Sequence, residues 1–468
     1  MNIKNFWLAC LTIVFCRILA AYILPTFDDA FITFRYGEHL INGDGLVYNL
    51  HEKIMGTTAP LFAILSIIPL FFSIAAAKFF VVFNLLCDLG TLYLVYRFFL
   101  SGSKTTLIIF STFFAFDPIV NRISVGGMEA NLFLFLSLLG IVLYLNQKKG
   151  LAFGLLSLIY FLRPEALILL FVMGCYEIAK TKRIPWKYII LSFILLAIPL
   201  YIIYIYYGQV LPQSVIAKSA TGRNPISNLV NSIFFRHPFN YLIFPLAVYG
   251  IIKRLPTKQY LLVAGIWMIC YAGAYFLRGP LIWTWYIYSV EVVQLIFASM
   301  AIVDIAATLR LDLSRYRWLM ALPLFSVFGW IIILYKTGRS GIEVNVYGGL
   351  KKDFERMDNR NKIFFADDIG ALGYYSGGYI YDNQMLVTPQ ASKFKNAHDR
   401  IISILPDYLY LYTDSVYLGM IRKDSVLSKK YTFLKRYAPD GEKDLPAVFD
   451  KNAVIVYKQD YMLFKKNN

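Results

Sequence analysis

Residues 25–49 read Pro25-Thr-Phe-Asp28-Asp29-Ala-Phe-Ile-Thr-Phe-Arg35-Tyr36-Gly-Glu38-His39-Leu-Ile-Asn42-Gly43-Asp44-Gly45-Leu-Val-Tyr-Asn49. Two adjacent carboxylates follow directly on an apolar run over residues 6–24. From Asp29 onward Phe31, Phe34, Leu40 and Ile41 fall on a rough helical stripe, with Arg35 and Glu38 elsewhere, which predicts a short amphipathic helix on a membrane surface. Asp28 or Asp29 is expected as its N-cap, and Asn42-Gly43 with Asp44-Gly45 ends it with turn chemistry.

The surrounding chain fits that placement. Hydrophobic residues make up 58% of the 468 positions and charged residues only 16%, whereas a soluble domain is about 25% charged. That leaves too little polar surface for a water-soluble globule of this size and excludes a disordered chain. The charge is not spread evenly. Residues 1–335 carry 38 charged side chains, about 11%, and residues 336–468 carry 37, about 28%. The chain therefore divides into a membrane domain (1–335) and a tail of ordinary soluble composition (336–468). All five cysteines lie in apolar segments, so the tail has no disulfide framework.

Apolar stretches lie near 6–24, 59–76, 79–100, 105–118, 129–146, 151–162, 164–178, 187–207, 239–252, 260–277, 283–308 and 317–335. Several are shorter than the ~20 residues of a perpendicular span, so tilted or broken helices are expected. The net charge of +17 reads as the positive-inside bias of cytoplasmic loops and not as a nucleic-acid patch. Lys180, Lys182, Arg183 and Lys187 mark one such loop, and Lys253, Arg254 and Lys258 another. These orient residues 25–58, 119–128, 163–165, 208–238 and the whole tail outside. A cytoplasmic N-terminus and an external tail need an odd number of crossings. With 59–76 taken as a juxtamembrane or re-entrant element, about 11 transmembrane helices result. The tail reads as an α/β domain, with strands expected at Lys362–Ala366, Tyr379–Tyr381, Tyr408–Tyr412 and Ala453–Tyr457 and a helix at Ala397–Ile404.

The polar side chains of the membrane domain collect on the external side. Five acids, Asp28, Asp29, Glu38, Asp44 and Glu52, crowd the first external loop. The bland reading of the pair is one capping carboxylate and one solvated carboxylate. The functional reading is a general base, because a carboxylate beside another carboxylate has a raised proton affinity. Glu129, then Arg163 with Glu165, then Gln213 and Lys218 join the same side, together with Asp117, Arg122, His39 and His237. They describe a cavity with acids at one place and cations at another.

These residues sit in runs that resemble a known group. Asp28-Asp29-Ala-Phe-Ile-Thr-Phe-Arg35-Tyr36, Gly43-Asp-Gly-Leu-Val-Tyr-Asn49 and Gly56-Thr-Thr-Ala-Pro60-Leu are similar to the first-loop signature of polytopic glycosyltransferases of the GT-C fold. Gly127-Met128-Glu129, Arg163-Pro-Glu165, Leu211-Pro-Gln-Ser-Val-Ile-Ala-Lys218, Asp367-Asp-Ile-Gly370-Ala-Leu-Gly-Tyr374 and Asp382-Asn-Gln-Met-Leu386-Val follow in order over residues 25–390. By these runs the chain resembles the mycobacterial terminal β-(1→2)-arabinofuranosyltransferases and related bacterial envelope enzymes. Relative to their pattern Met128, Ala130, Gln213 and Ser214 are substituted.

The resemblance implies a multi-pass enzyme of the bacterial cytoplasmic membrane with its C-terminal domain outside. It would move a sugar, with inversion, from a polyprenyl-phosphate donor to a cell-envelope glycan or glycolipid, with no nucleotide sugar and no nucleic acid. In that scheme Asp28 or Asp29 is the base. Lys218, Arg163 and Arg35 meet the donor phosphate. Glu129, Glu165, Gln213, His39 and His237 contact substrate. No cofactor is required, although paired acids can also take a divalent ion. The rival classes are a lipid-linked oligosaccharide ligase and a transporter or flippase of lipid-linked sugars; against the latter, the chain has no internal repeat.

Overall fold

The computed structural model describes residues 3–220, 224–235, 239–279, 282–313, 345–413, 415, 418–419, 423–438 and 460–467. The protein is helical and polytopic. Its first half runs α1 (Ile3–Ile23), α2 (Asp28–Ile41), α3 (Pro60–Leu65), α4 (Ile67–Phe71), α5 (Ala76–Leu94), α6 (Lys104–Phe116), α7 (Pro118–Ser124) and α8 (Ala130–Leu145). It continues with α9 (Lys149–Leu158), α10 (Ala166–Thr181), α11 (Trp186–Tyr207), α12 (Gln213–Ala220), α13 (Ile226–Phe234), α14 (Asn240–Arg254), α15 (Gln259–Arg278) and α16 (Tyr288–Thr308).

Among the described residues five helices are long and apolar enough to cross a membrane, or six when the bent pair α6–α7 counts as one span. The expected span 317–335 lies outside the described residues. The α6–α7 bend of 64° has a local cause. Pro118 has no N–H to continue the first helix, and the Asp117 carboxylate accepts the Val120 N–H at 2.9 Å, so the chain stops and restarts with a cap. The chain breaks again between α9 and α10, where a 3-10 turn, Ile159–Phe161, precedes Arg163-Pro164, here with no side-chain cap.

Burial ranks the helices by their place in the bundle. Within α16, 78% of the apolar window is buried, whereas none of α11 is, so α16 is central and α11 is peripheral, packed on α9 by one face with exposed apolar side chains on the others. Arg17, which interrupts the first apolar run, is buried at the bundle centre. Its Nε donates to Asp88 at 2.7 Å, and its two terminal nitrogens donate to Asn121 Oδ1 at 2.6 Å and to the carbonyl of Phe114 at 3.0 Å. A charge is held at that depth only when it is paired.

The tail folds as α17 (Gly348–Phe354), β1 (Ile363–Ala366), α18 (Gly370–Ser376), β2 (Tyr379–Asp382), α19 (Ala397–Ile404), β3 (Tyr408–Tyr412), β4 (Tyr431–Tyr437) and β5 (Tyr461–Lys466). The sheet order is β2-β1-β3-β5-β4. β1 is parallel to β2 and β3, and β5 is antiparallel to β3 and β4. Three of the expected strands and the helix 397–404 are present. The expected strand Ala453–Tyr457 lies outside the described residues.

The two parts meet where α18 packs on α2. Glycine makes the approach possible. A Cβ at Gly370 would fall on the Asp28 carbonyl, and one at Gly373 on the Tyr48 hydroxyl. Arg35, fully buried, donates from Nε to the Tyr48 carbonyl at 2.7 Å and from its other nitrogens to the carbonyls of Gly373 and Gly378. Asn49 pairs with both backbone groups of Ile380, at 2.9 and 3.0 Å. The first-loop and tail signatures are thus two halves of one joint.

Candidate active site

Asp28 and Asp29 sit in the first turn of α2, and neither caps it. The N-cap is Phe27, with no side-chain acceptor, which corrects the expectation drawn from spacing. The Asp28 carboxylate instead turns to the tail, where Oδ2 accepts the Gly370 N–H at 2.7 Å and Oδ1 the Ala371 N–H at 2.8 Å. Asp28 therefore serves another helix, α18, whose first N–H groups have no partner in their own helix.

Asp29 faces a cavity of ≈ 100 Å³ at this junction. Asp28, Arg122 and Lys218 line it from the membrane part, and Asp367, Asp368 and Asp382 from the tail. Its aromatic wall is Trp283 and Trp285, whose rings stack at 5.5 Å and 4°. The electrostatics are polarised. Burial pushes the Asp29 pKa up, and the Lys218 ammonium pulls it part of the way back. Asp28 is raised well above the ordinary carboxylate range by burial and by the charge on Asp368. Asp368 is itself pushed up to about 6 by burial, against the hydroxyls of Tyr412 and Tyr461, each 2.5 Å from Oδ2.

On the cationic side, Lys218 Nζ donates to the Tyr286 hydroxyl at 2.8 Å. The Arg122 guanidinium lies 3.7 Å over the Phe27 ring and donates to the Pro25 carbonyl at 2.5 Å. Both belong to the cavity lining. Cations with apolar or aromatic backing and a cluster of carboxyls with raised proton affinity can together remove a proton at one point and receive negative charge at another.

The other residues singled out from the sequence divide. Arg163 forms a layer behind the aromatic wall. It donates to Glu129 at 3.2 Å, to Glu165 at 3.0 Å and to the carbonyl of Trp285 at 2.8 Å, and Glu165 also accepts the Tyr275 hydroxyl at 2.5 Å. Gln213 is buried and donates to the Met385 carbonyl at 3.2 Å. None of these four lines the cavity. Arg35 is committed to three backbone carbonyls, so the structure gives it a joint to hold and not a cavity to face. His39 lies on a different cavity, ten residues further along α2. His237 lies outside the described residues.

Asp368, Asp382 and the two tryptophans were given no site role from sequence, and Arg122 was placed only among the polar side chains of the external side. A signal was present for Asp368 in the Asp367-Asp368 doublet. None existed for Trp283 and Trp285, which read as ordinary span residues. Among the described residues no group of three or more His, Cys, Asp or Glu is arranged to hold a metal ion.

No protein-family model matches the chain, and no curated protein matches it. In fold it is similar to ArnT from Cupriavidus metallidurans. Against the structure of that protein bound to undecaprenyl phosphate the TM-score is 0.58 at 10% identity, covering 99% of this chain and 98% of the other. Against its apo structure the TM-score is again 0.58, at 11% identity, covering 98% and 97%.

Proposed function

We propose that this chain is a membrane glycosyltransferase of the GT-C type that moves a single sugar, with inversion, from a polyprenyl-phosphate donor to an envelope glycan or glycolipid acceptor, on the side of the bilayer that carries the α/β domain. The observation that carries the reading is that Asp29 and Lys218 line one cavity at the junction of the two parts, close enough for the Lys218 charge to act on the Asp29 carboxyl. The whole-chain likeness in fold to a protein crystallised with undecaprenyl phosphate supports the lipid-phosphate donor.

Asp29 takes the proton of an acceptor hydroxyl. The hydroxyl oxygen then forms its bond to the anomeric carbon as the bond from that carbon to the phosphate oxygen breaks. Negative charge arrives on the departing lipid phosphate, where Lys218 and Arg122 meet it. The stacked Trp283 and Trp285 give the sugar or the first isoprenoid unit an apolar wall. Arg163, with Glu129 and Glu165, fixes that wall through the Trp285 carbonyl instead of touching the phosphate. Asp28 holds the α/β domain in register over the cavity.

The test is transfer in vitro from a panel of polyprenyl-phosphate sugars, with products weighed by mass spectrometry. Wild type is expected to add one sugar unit, and Asp29→Asn to lose turnover. A product heavier by a preassembled glycan would mark a ligase. No turnover with any donor, or full turnover by both Asp29→Asn and Asp28→Asn, would sink the proposal.

A further inference from the structure

A second cavity, of ≈ 510 Å³, opens at the other end of α2. Its walls come from the C-terminal half of α2 (Glu38, His39), the start of α5 (Ala77) and the tail helices α17 and α18 (Glu355, Tyr374, Tyr375). At a rise of 1.5 Å per residue, His39 lies about 15 Å along the helix from Asp29.

The polar groups of this wall suit hydroxyls. His39 is buried, and its Nδ1 lies 2.9 Å from the Val47 carbonyl. A carbonyl only accepts, so a neutral ring carries its proton on Nδ1 and leaves the Nε2 lone pair as an acceptor. Burial, with the Arg35 charge second, holds the ring neutral by pushing its pKa down to about 4. Burial also raises the Glu38 pKa, the Arg35 charge draws it part of the way back, and the Glu355 charge adds a smaller push upward. Beside these groups stand the rings of Tyr374 and Tyr375, 5.2 Å apart at 76°. Acceptors, carboxyls and aromatic faces together match a ring with polar edges and apolar C–H faces. The formal charges nearly balance, with Glu38, Asp44 and Glu355 against Lys351 and Arg360. That favours a neutral ligand over a phosphate.

The position fixes where the ligand comes from. Ala77 lies at the start of the apolar helix Ala76–Phe99, and just before it Phe71 and Phe72 are 74% and 66% exposed, a surface that a bilayer covers. The mouth therefore lies at the membrane surface. We infer that this cavity is a second binding site, for neutral oligosaccharide, which holds a stretch of acceptor glycan remote from the bond being made. Its assignment to the acceptor rests on the transferase reading; binding of the glycan does not.

Purified full-length protein in detergent is titrated calorimetrically with neutral hexasaccharides of glucose, mannose, galactose and N-acetylglucosamine, free and carried on a lipid anchor. At least one is expected to bind, and Ala77→Trp, which fills the cavity, and Glu38→Gln are each expected to weaken it at least tenfold. Equal affinity of the free and anchored forms assigns recognition to the glycan alone, and tighter binding of the anchored form adds the bilayer-side mouth. In transfer assays Ala77→Trp is expected to raise KM for a long acceptor while leaving kcat on a short soluble one unchanged. No binding by any probe, or binding that both variants leave untouched, would overturn the site. Glycan binding sensitive to Ala77→Trp without transfer from any donor would keep this site and remove the transferase reading.

Discussion

The Asp28 carboxylate accepts the backbone N–H of Gly370 at 2.7 Å, across 342 positions of the chain. Both carboxylates line the cavity, but one member of the acidic pair is committed as a cap on a helix of the other domain and its neighbour is not. The two positions look equivalent in sequence and differ because successive residues on a helix point about 100° apart.

The separation of roles is measurable. Asp28→Ala leaves the Gly370 and Ala371 N–H groups without their acceptor and is expected to cost about 1–3 kcal/mol of stability. It should appear as a lower unfolding midpoint in detergent. Asp29→Asn is expected to keep the midpoint and lower kcat about 10²–10⁴-fold, the range of a lost general base. The opposite pattern, with Asp29→Asn unstable and Asp28→Ala stable but inactive, would reverse the assignment.

The base must be ionised to act, so activity rises with pH through the Asp29 pKa. Burial raises that pKa and Lys218 draws it down. Lys218→Met is expected to move the acid limb of the kcat/KM profile to higher pH, in addition to lowering kcat through loss of a cation at the leaving phosphate. Lys218→Arg should return the limb toward its wild-type position. A limb that stays in place in Lys218→Met would detach Asp29 from that limb.

How far the sequence carried these conclusions depends on what each residue answers to. The apolar runs follow from burial in lipid, which acts on every residue of a segment, so the helical polytopic part and three strands of the tail sheet were legible, while the composition break near Tyr335 lies outside the described residues. The short motifs were legible as chemistry and opaque as geometry. Arg35 looks like a phosphate ligand until its guanidinium is found between the carbonyls of Tyr48, Gly373 and Gly378. Gly370 and Gly373 stood only within a run resembling a family signature, while the space they leave is filled by Asp28 and Tyr48 from more than 300 positions away. Contacts at that separation leave no periodicity to read. β4 and β5 were missed for a related reason. β4 is exposed over its five central residues and carries Lys435 and Arg436, the composition of a charged sheet edge.

The carboxyl of Asp368 gives the folded protein a pH dependence of defined sign. Its pKa is about 6 in the fold, against an ordinary ~3.9 when unfolded. The folded state therefore binds the proton more tightly. Its stabilising contribution is complete below the unfolded value and is lost as pH rises through about 6. Taking the protein from pH 7 to pH 5 should raise the unfolding midpoint through this group, and Asp368→Asn should reduce that slope. A slope unaltered in Asp368→Asn would place the pH response elsewhere.

Arg17 and Asp88 form the pair that holds the bend next to the site. Both side chains are 1% exposed, and Asp88 also accepts from Ser124 at 2.7 Å, Asn131 at 2.7 Å and Tyr288 at 3.0 Å. Through Asn121 and the Phe114 carbonyl, Arg17 fixes the α6–α7 junction one residue before Arg122 enters the cavity wall. Arg17→Met leaves a buried carboxylate without its counter-charge and is expected to cost about 3–5 kcal/mol. Asp88→Asn leaves a buried guanidinium in the same position. In the double variant Arg17→Met/Asp88→Asn neither charge is stranded, so its loss should be smaller than the sum of the two single losses. Unfolding midpoints of the four proteins in one detergent give the coupling directly. Activity should follow the same order, because the bend carries Arg122. Additive losses would mean that the two groups act independently and that the bend is held by Pro118 and the Asp117 cap alone.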